Sequence, residues 1–133
     1  TAKKEIVDSL KDYSSWYQLM ENPLNIADLM MNADLAIIGD GLTKYEAAVT
    51  GTPSIMLSRF DSEHHQNSLF EQAGTTIHLG DAYTISTEFL SESIKNVMGD
   101  ISLRVDMSIK GKSLVDGKGV KRVINHIPPQ VFL

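Results

Sequence analysis

The segment of this chain best suited to chemistry is Gly39-Asp40-Gly41-Leu42-Thr43. It follows an apolar run, Leu35 to Ile38, and opens a stretch of helical character. The first N–H groups of a helix have no partner within it, and the helix dipole is positive there, so such a turn is a natural anion cradle. Two glycines let a phosphate reach the backbone, and Thr43 adds a hydroxyl donor. Asp40 opposes that role, because a carboxylate repels a pyrophosphate unless it turns away or a cation intervenes. The plainer reading is a tight turn in which Asp40 or Thr43 caps the helix, and a lone G-x-G pattern does not choose between the two. Glu46 stands on the same helix with Leu42, Tyr45, Ala47, Ala48 and Val49. A carboxylate there can accept two hydrogen bonds from a ribose diol, or it can simply face solvent.

A second polar cluster, Glu63-His64-His65-Gln66-Asn67, starts the next helix. Adjacent histidines on a helix point about 100° apart and do not converge on a metal. The i, i+4 pairing of zinc-binding helices is absent. The cluster therefore reads as a polar helix start, facing either a ligand cleft or solvent. His78 reads as structural or at a sheet edge, His126 as surface, and Met20, Met30, Met31 and Met56 as packing. Asp116 and Arg122 can pair across a turn. No Ser/His/Asp arrangement is recognisable from spacing.

The elements that must position these residues alternate. Ile6, Val7 and Leu10 mark a first amphipathic helix over residues 3–12, and Trp16 to Met20 reads as a short strand. Ile26, Leu29, Met30 and Ala33 mark a helix over 24–33. Leu35–Ile38 and Ser54–Ser58 suit strands buried on both faces, as in a parallel sheet. Between them runs a helix from Leu42 to Thr50, with Gly51 as its C′ glycine and Pro53 beyond. Asp61 or Ser62 can cap a helix running to Ala73 and stopped by Gly74. Thr75–Leu79 is the fourth strand of this reading. Phe89, Leu90, Ile94, Val97 and Met98 share one face of a helix capped by Ser86 or Thr87. Ile101, Val105 and Ile109 mark another. Asp116-Gly117-Lys118-Gly119 is a turn, and Val120, Val123, Ile124 and Ile127 form an apolar stripe ended by Pro128-Pro129. Short connections between alternating strands and helices imply parallel strands with right-handed crossovers. Ligands in such sheets bind beyond the strand C-termini, here at loops 39–43, 58–63 and 80–86.

Composition bounds the function. The 133 residues make one domain; Lys plus Arg is 12 and Asp plus Glu is 17, a net charge of −5. That balance speaks against nucleic acid and against a polybasic membrane surface. Without cysteine there is no disulfide, thiolate nucleophile or Cys-based metal site. No apolar run approaches the roughly 20 residues of a membrane span. The expected compartment is the cytoplasm, with neither metal nor cofactor. The chain begins at Thr1 and at once enters a helix, so it is expected to be a fragment.

Residues 33–74, ADLAIIGDGLTKYEAAVTGTPSIMLSRFDSEHHQNSLFEQAG, resemble the C-terminal nucleotide-sugar-binding domain of GT-B-fold proteins. The stretch is similar to UDP-sugar hydrolases of pseudaminic acid synthesis and to spore-coat polysaccharide proteins. The lipid II N-acetylglucosaminyltransferase is more distant. Ala33-Asp34, Gly41, Thr43, Glu46, Ala47-Ala48, Gly51 and Pro53-Ser54 match the family pattern in order, and LVDGKGVKRVI at 114–124 looks like the hydrolase and spore-coat ending. Asp40 and Leu42 depart from it, Asp40 standing where the family commonly has Gly or Ser and Leu42 where it commonly has Ser. The resemblance implies a Rossmann-like three-layer α/β domain, the C-terminal half of a GT-B protein without its first strands. It implies that Gly39, Asp40, Gly41, Leu42 and Thr43 surround a diphosphate, that Glu46 accepts the ribose hydroxyls, and that Glu63, His65, Gln66 and Asn67 face the sugar or its phosphates.

Two functions follow. In the first, the chain is the donor-binding part of a bacterial hydrolase or glycosyltransferase acting at the anomeric carbon, with UDP as leaving group. Its partners are a UDP-sugar and an absent N-terminal GT-B domain, and alone it is inactive. In the second, it is a GT-B-like interaction module without chemistry. An incomplete sheet exposes an edge, so a homodimer is expected.

Overall fold

The computed structural model describes residues 2–13, 15–59 and 69–127. Its centre is a parallel sheet of three strands in the order β1 (Ala36–Gly39), β2 (Ser54–Ser58) and β3 (Thr76–Asp81). Ala36 pairs with Ser54 and Gly39 with Leu57, while Ser54 pairs with Thr76 and Met56 with His78. Successive residues of a strand point to opposite faces. In β2 both faces are covered, since Ile55 and Met56 are each 0% exposed.

The two faces carry two cores. Met56 packs with Ile38, with Met30 of α2 (Ile26–Met31) and with Ala47 of α3 (Thr43–Thr50). Ile55 packs with Val97 of α4 (Thr87–Gly99) and Met107 of α5 (Ile101–Leu114), backed by Leu35, Ile77, Leu79, Leu90, Ile94 and Leu103. Truncating Ile55 or Met56 to Ala should cost about 2–5 kcal/mol. This is the α/β class expected from the alternation, a parallel sheet with helices on both faces. Strands that advance in one direction through right-handed crossovers carry their connecting helices on one face. Accordingly Tyr45 of α3 and Phe70, in the helical turn at 69–72, meet edge-on at 4.9 Å.

Local chemistry fixes the helix ends. Asn25 accepts from the Asp28 N–H at 3.3 Å, Ser86 from the Phe89 N–H at 3.2 Å and Asp100 from the Leu103 N–H at 2.9 Å. Each places a short polar side chain on an otherwise orphan donor. Gly51 ends α3 at φ 74°, the left-handed conformation expected of a C′ glycine. A side chain there would also strike the Lys112 side chain and come within 2.8 Å of Ser108 Oγ. Gly111 of α5 lies directly on α3, where an added Cβ would sit 2.9 Å from the Ala48 carbonyl oxygen.

Several expectations are corrected. Residues 16–20 are not a strand: the Trp16 N–H closes a turn onto the Tyr13 carbonyl at 2.8 Å, and Trp16 is 86% exposed. No described strand lies along the free side of β1 to form a ladder with that segment. The first helix is shorter than expected, with α1 at Ala2–Ser9 followed by a 3-10 turn, Lys11–Tyr13. Ile101, Val105 and Ile109 do not face the core but are exposed, because α5 buries the opposite side through Met107 and Gly111. Met20 and Met31 are exposed, while Met30 and Met56 pack as expected. The last helix, α6 (Gly119–His126), leaves Val120, Val123 and Ile124 exposed among the described residues. The start of the helix read as running to Ala73, and Pro128-Pro129, lie outside the described residues.

Candidate functional site

The candidate site lies at the C-terminal rim of the sheet, where β1 hands over to residues 40–42, β2 to Arg59 and β3 to residues 82–86. β1 ends on Gly39, and α3 begins at Thr43 with Leu42 as its N-cap. No side chain caps that end. The Tyr45 and Glu46 N–H groups both reach the Leu42 carbonyl, at 2.9 and 3.4 Å. The N–H groups before them are the ones an α-helix cannot satisfy internally. Leu42 is 79% exposed, and its side chain stands in solvent rather than closing the turn.

Gly39 and Gly41 are instructive. Neither has the positive φ that requires glycine, and a Cβ at either would meet nothing within 4 Å among the described residues. The fold therefore demands neither glycine, whereas Gly51 and Gly111 are demanded. A bare backbone with open space on it is what a close-approaching ligand needs.

Asp40 turns away from that open side. It is buried, and its carboxylate Oδ2 accepts the Arg59 N–H at 3.1 Å, joining the first loop to the end of β2. The repulsion expected between Asp40 and a bound diphosphate is thereby reduced by orientation. The Asp40 carbonyl accepts from Lys44 Nζ at 2.9 Å, and Lys44 is itself buried. Glu46 is exposed on α3, three residues after the half-buried Thr43 and so on the same side of the helix. No described residue bonds the Glu46 carboxylate. Thr43 and Glu46 are thus brought beside the glycine turn, while Asp40 supports it from within. Glu63, His65, Gln66 and Asn67 lie outside the described residues.

The neighbouring strand end holds Ser58, which sequence reasoning did not single out, and its partner His78, which it read as structural or at a sheet edge. Ser58 closes β2, is buried, and its Oγ lies 2.7 Å from His78 Nε2 on β3. His78 keeps the structural role expected of it, but as a cross-strand partner in a polar rim. The Ala82 N–H donates to the Ser58 carbonyl at 2.8 Å. Between these residues β3 carries an extra residue, since Met56 pairs with His78 but Ser58 pairs with Asp81. Gly80, at φ 87°, supplies the left-handed backbone such a bulge uses. Burying Asp40, Lys44 and Ser58 is costly unless each is hydrogen-bonded, and among the described residues no buried side-chain nitrogen or oxygen lacks a partner. The signal for this rim in the sequence was a polar residue closing each apolar run.

Away from the rim, Asp116 and Arg122 pair at 2.6 Å as their spacing suggested. The Arg122 hydrogen bond, helped by the Lys118 N–H, holds the Asp116 carboxyl down at about 2. The same contact raises the Arg122 pKa. A cavity of about 390 Å³ between this turn and α3 is lined by Tyr45, Val115, Asp116 and Arg122 among others. His126 is exposed, with Nδ1 2.7 Å from the Arg122 carbonyl oxygen. No cluster of His, Asp or Glu among the described residues has the form of a metal site. No described helix is long and apolar enough to cross a membrane.

No protein-family model matches the chain, and no solved structure matches it. Over 107 residues, or 80% of its length, the chain is 33% identical to the spore coat polysaccharide biosynthesis protein SpsG of Bacillus subtilis (strain 168). The matched stretch is 32% of that relative, so the chain corresponds to about a third of a longer protein to which it is similar.

Proposed function

We propose that this chain is the nucleotide-sugar-binding part of a polysaccharide-biosynthesis protein with GT-B architecture, and that its ligand is a UDP-sugar. The observation that carries this reading is the pair Gly39 and Gly41, bare backbone that the fold itself does not require, at the open start of α3. The backbone N–H groups of Gly41, Leu42 and Thr43 would receive the diphosphate, aided by the helix dipole. The Glu46 carboxylate, which no described residue bonds, lies on the side of α3 that carries Thr43 and would accept the ribose hydroxyls. The similarity to SpsG supports a place in glycan synthesis. Displacement at the anomeric carbon with UDP leaving fits these donors, since backbone N–H groups and a helix terminus can offset the leaving-group charge. The reacting groups for a hydrolase or a transferase would come from a second domain, and this chain alone would bind without turning over.

Titration with UDP by calorimetry tests the reading. Saturable binding is expected, weakened at least about tenfold in Gly41→Ala and in Glu46→Ala, with the unfolding midpoint of Gly41→Ala unchanged. Absence of binding by UDP, CMP and UDP-N-acetylhexosamine at millimolar levels would overturn it.

One observation favours a second reading, a non-catalytic interaction module. Two apolar stripes stay exposed, Ile101, Val105 and Ile109 on α5 and Val120, Val123 and Ile124 on α6. A chain that fails the UDP titration but self-associates or captures a partner through these stripes would be such a module.

A further inference from the structure

Lys44 is the second residue of α3 and is 3% exposed. Its ammonium donates to the Asp40 carbonyl at 2.9 Å and lies 5.9 Å from the centroids of both the Tyr45 and Phe70 rings. A buried ammonium carries a desolvation penalty that a methionine of similar length would avoid. The lysine makes a bond to Asp40 that a methionine would not, and that bond falls on one peptide unit. The carbonyl of Asp40 and the N–H of Gly41 belong to the same planar trans peptide and point in opposite directions. Holding the carbonyl against the buried Lys44 therefore directs the Gly41 N–H the opposite way, away from the lysine. Glycine on both sides of Asp40 would otherwise leave this peptide easy to flip. The Asp40 carboxylate, bonded to the Arg59 N–H, fixes the same residue a second time.

We infer that Lys44 is a positioning residue for anion binding: through the Asp40 carbonyl it sets the orientation of the Gly41 N–H, the donor that meets the diphosphate. This rests on the nucleotide reading above and adds to it a residue that does not touch the ligand. The bond orders the turn before ligand arrives, so the peptide needs no rotation on binding.

The test uses the whole chain, labelled with nitrogen-15, as wild type, Lys44→Met and Lys44→Arg. In the absence of ligand, relaxation dispersion at the Gly41 amide should be flat in wild type and show microsecond-to-millisecond exchange in Lys44→Met. With UDP, Lys44→Met should bind at least about tenfold more weakly than wild type, and Lys44→Arg, which keeps a cationic donor, should recover part of the loss. A purely structural lysine would lower the unfolding midpoint and leave both readouts unchanged. Wild-type binding with equal affinity in Lys44→Met, and a flat Gly41 profile, overturns the inference while leaving the nucleotide reading intact. If wild type does not bind UDP, the nucleotide reading falls, and ligand-free Gly41 exchange alone decides whether Lys44 orients this peptide. Should Lys44→Met fail to fold, the same comparisons are made with Lys44→Arg, whose longer, planar head should shift the Gly41 resonance and reduce UDP affinity. An unshifted resonance with wild-type affinity would then overturn the inference.

Discussion

The carboxylate of Asp40 accepts the backbone N–H of Arg59 at 3.1 Å, and this bond ties the loop after β1 to the end of β2. Asp40 is 4% exposed, and its removal takes the carboxylate acceptor from this part-buried bond. Asp40→Ala should cost about 1–3 kcal/mol in denaturant unfolding. Asp40→Asn, which keeps an oxygen acceptor, should lose less. Amide exchange at Arg59 should accelerate in the alanine variant alone.

Gly111→Ala should drive α5 away from α3, because the new methyl would sit 2.9 Å from the Ala48 carbonyl oxygen and 3.2 Å from its Cα, both backbone atoms that cannot swing aside. The expected loss is about 1–3 kcal/mol. Gly99→Ala serves as the control: a Cβ there meets nothing within 4 Å, and its φ is not positive. That variant should be neutral or gain about 0.4–1 kcal/mol through the unfolded chain. Urea melts of the two variants side by side check both.

The Asp116 and Arg122 pair should show itself in titration rather than in stability, since both side chains are well exposed. The Asp116 carboxyl is lowered from 3.8 to about 2 in the folded chain, first by the Arg122 hydrogen bond and then by the Lys118 N–H. A depressed carboxylate supports the fold above its unfolded pKa and loses that support as pH falls through the folded value, here from 3.8 down to about 2. An NMR titration of Asp116 should therefore find a midpoint near 2 that moves up toward 3.8 in Arg122→Ala.

The outer edge of β1 has no described strand beside it, and Ile37 on that strand is 51% exposed. Such an edge is a template for pairing with another chain. Sedimentation should show concentration-dependent dimerisation, weakened by Ile37→Lys. A monomer at high concentration in both proteins would exclude the edge as an interface.

Much of the fold was legible because strong local signals agreed with the tertiary result. The run ending at Ile38 and the stretch Ile55–Leu57 are apolar, and β2 is covered on both faces as that pattern suggests. Ile37 on the edge strand β1 stays 51% exposed, which corrects the reading of that strand as buried on both faces. Gly51 had the left-handed conformation that stops α3 there. The failures came where the tertiary arrangement decided. Trp16 to Met20 had the composition of a strand but no neighbour to pair with. On α5 the stripe Ile101, Val105 and Ile109 was more apolar than the face actually buried, since close approach to α3 selected Gly111, which has no side chain to signal. In the candidate site, the placement of Thr43 and Glu46 beside the Gly41 turn was readable from type and spacing. The inward turn of Asp40 was not, because its partner is a backbone N–H nineteen residues away and carries no side-chain signature. The pairing of Ser58 with His78 escaped for a similar reason: His78 was read as structural, but twenty residues separate it from Ser58 and a bulge at Gly80 lies beside them.

The close seat of Gly111 on Ala48 has a dynamic consequence. α3 is clamped along its length by α5, at its end by Gly51 beneath Lys112, and beyond it by the Thr52 hydroxyl on the Met30 carbonyl at 2.8 Å. A helix so held does not slide or tilt when something arrives at its N-terminus. Under the proposed anion-binding role, the population of binding-ready chains is then set by the turn Gly39–Leu42 ahead of α3, and affinity is discounted by the fraction of molecules in which that turn is misaligned.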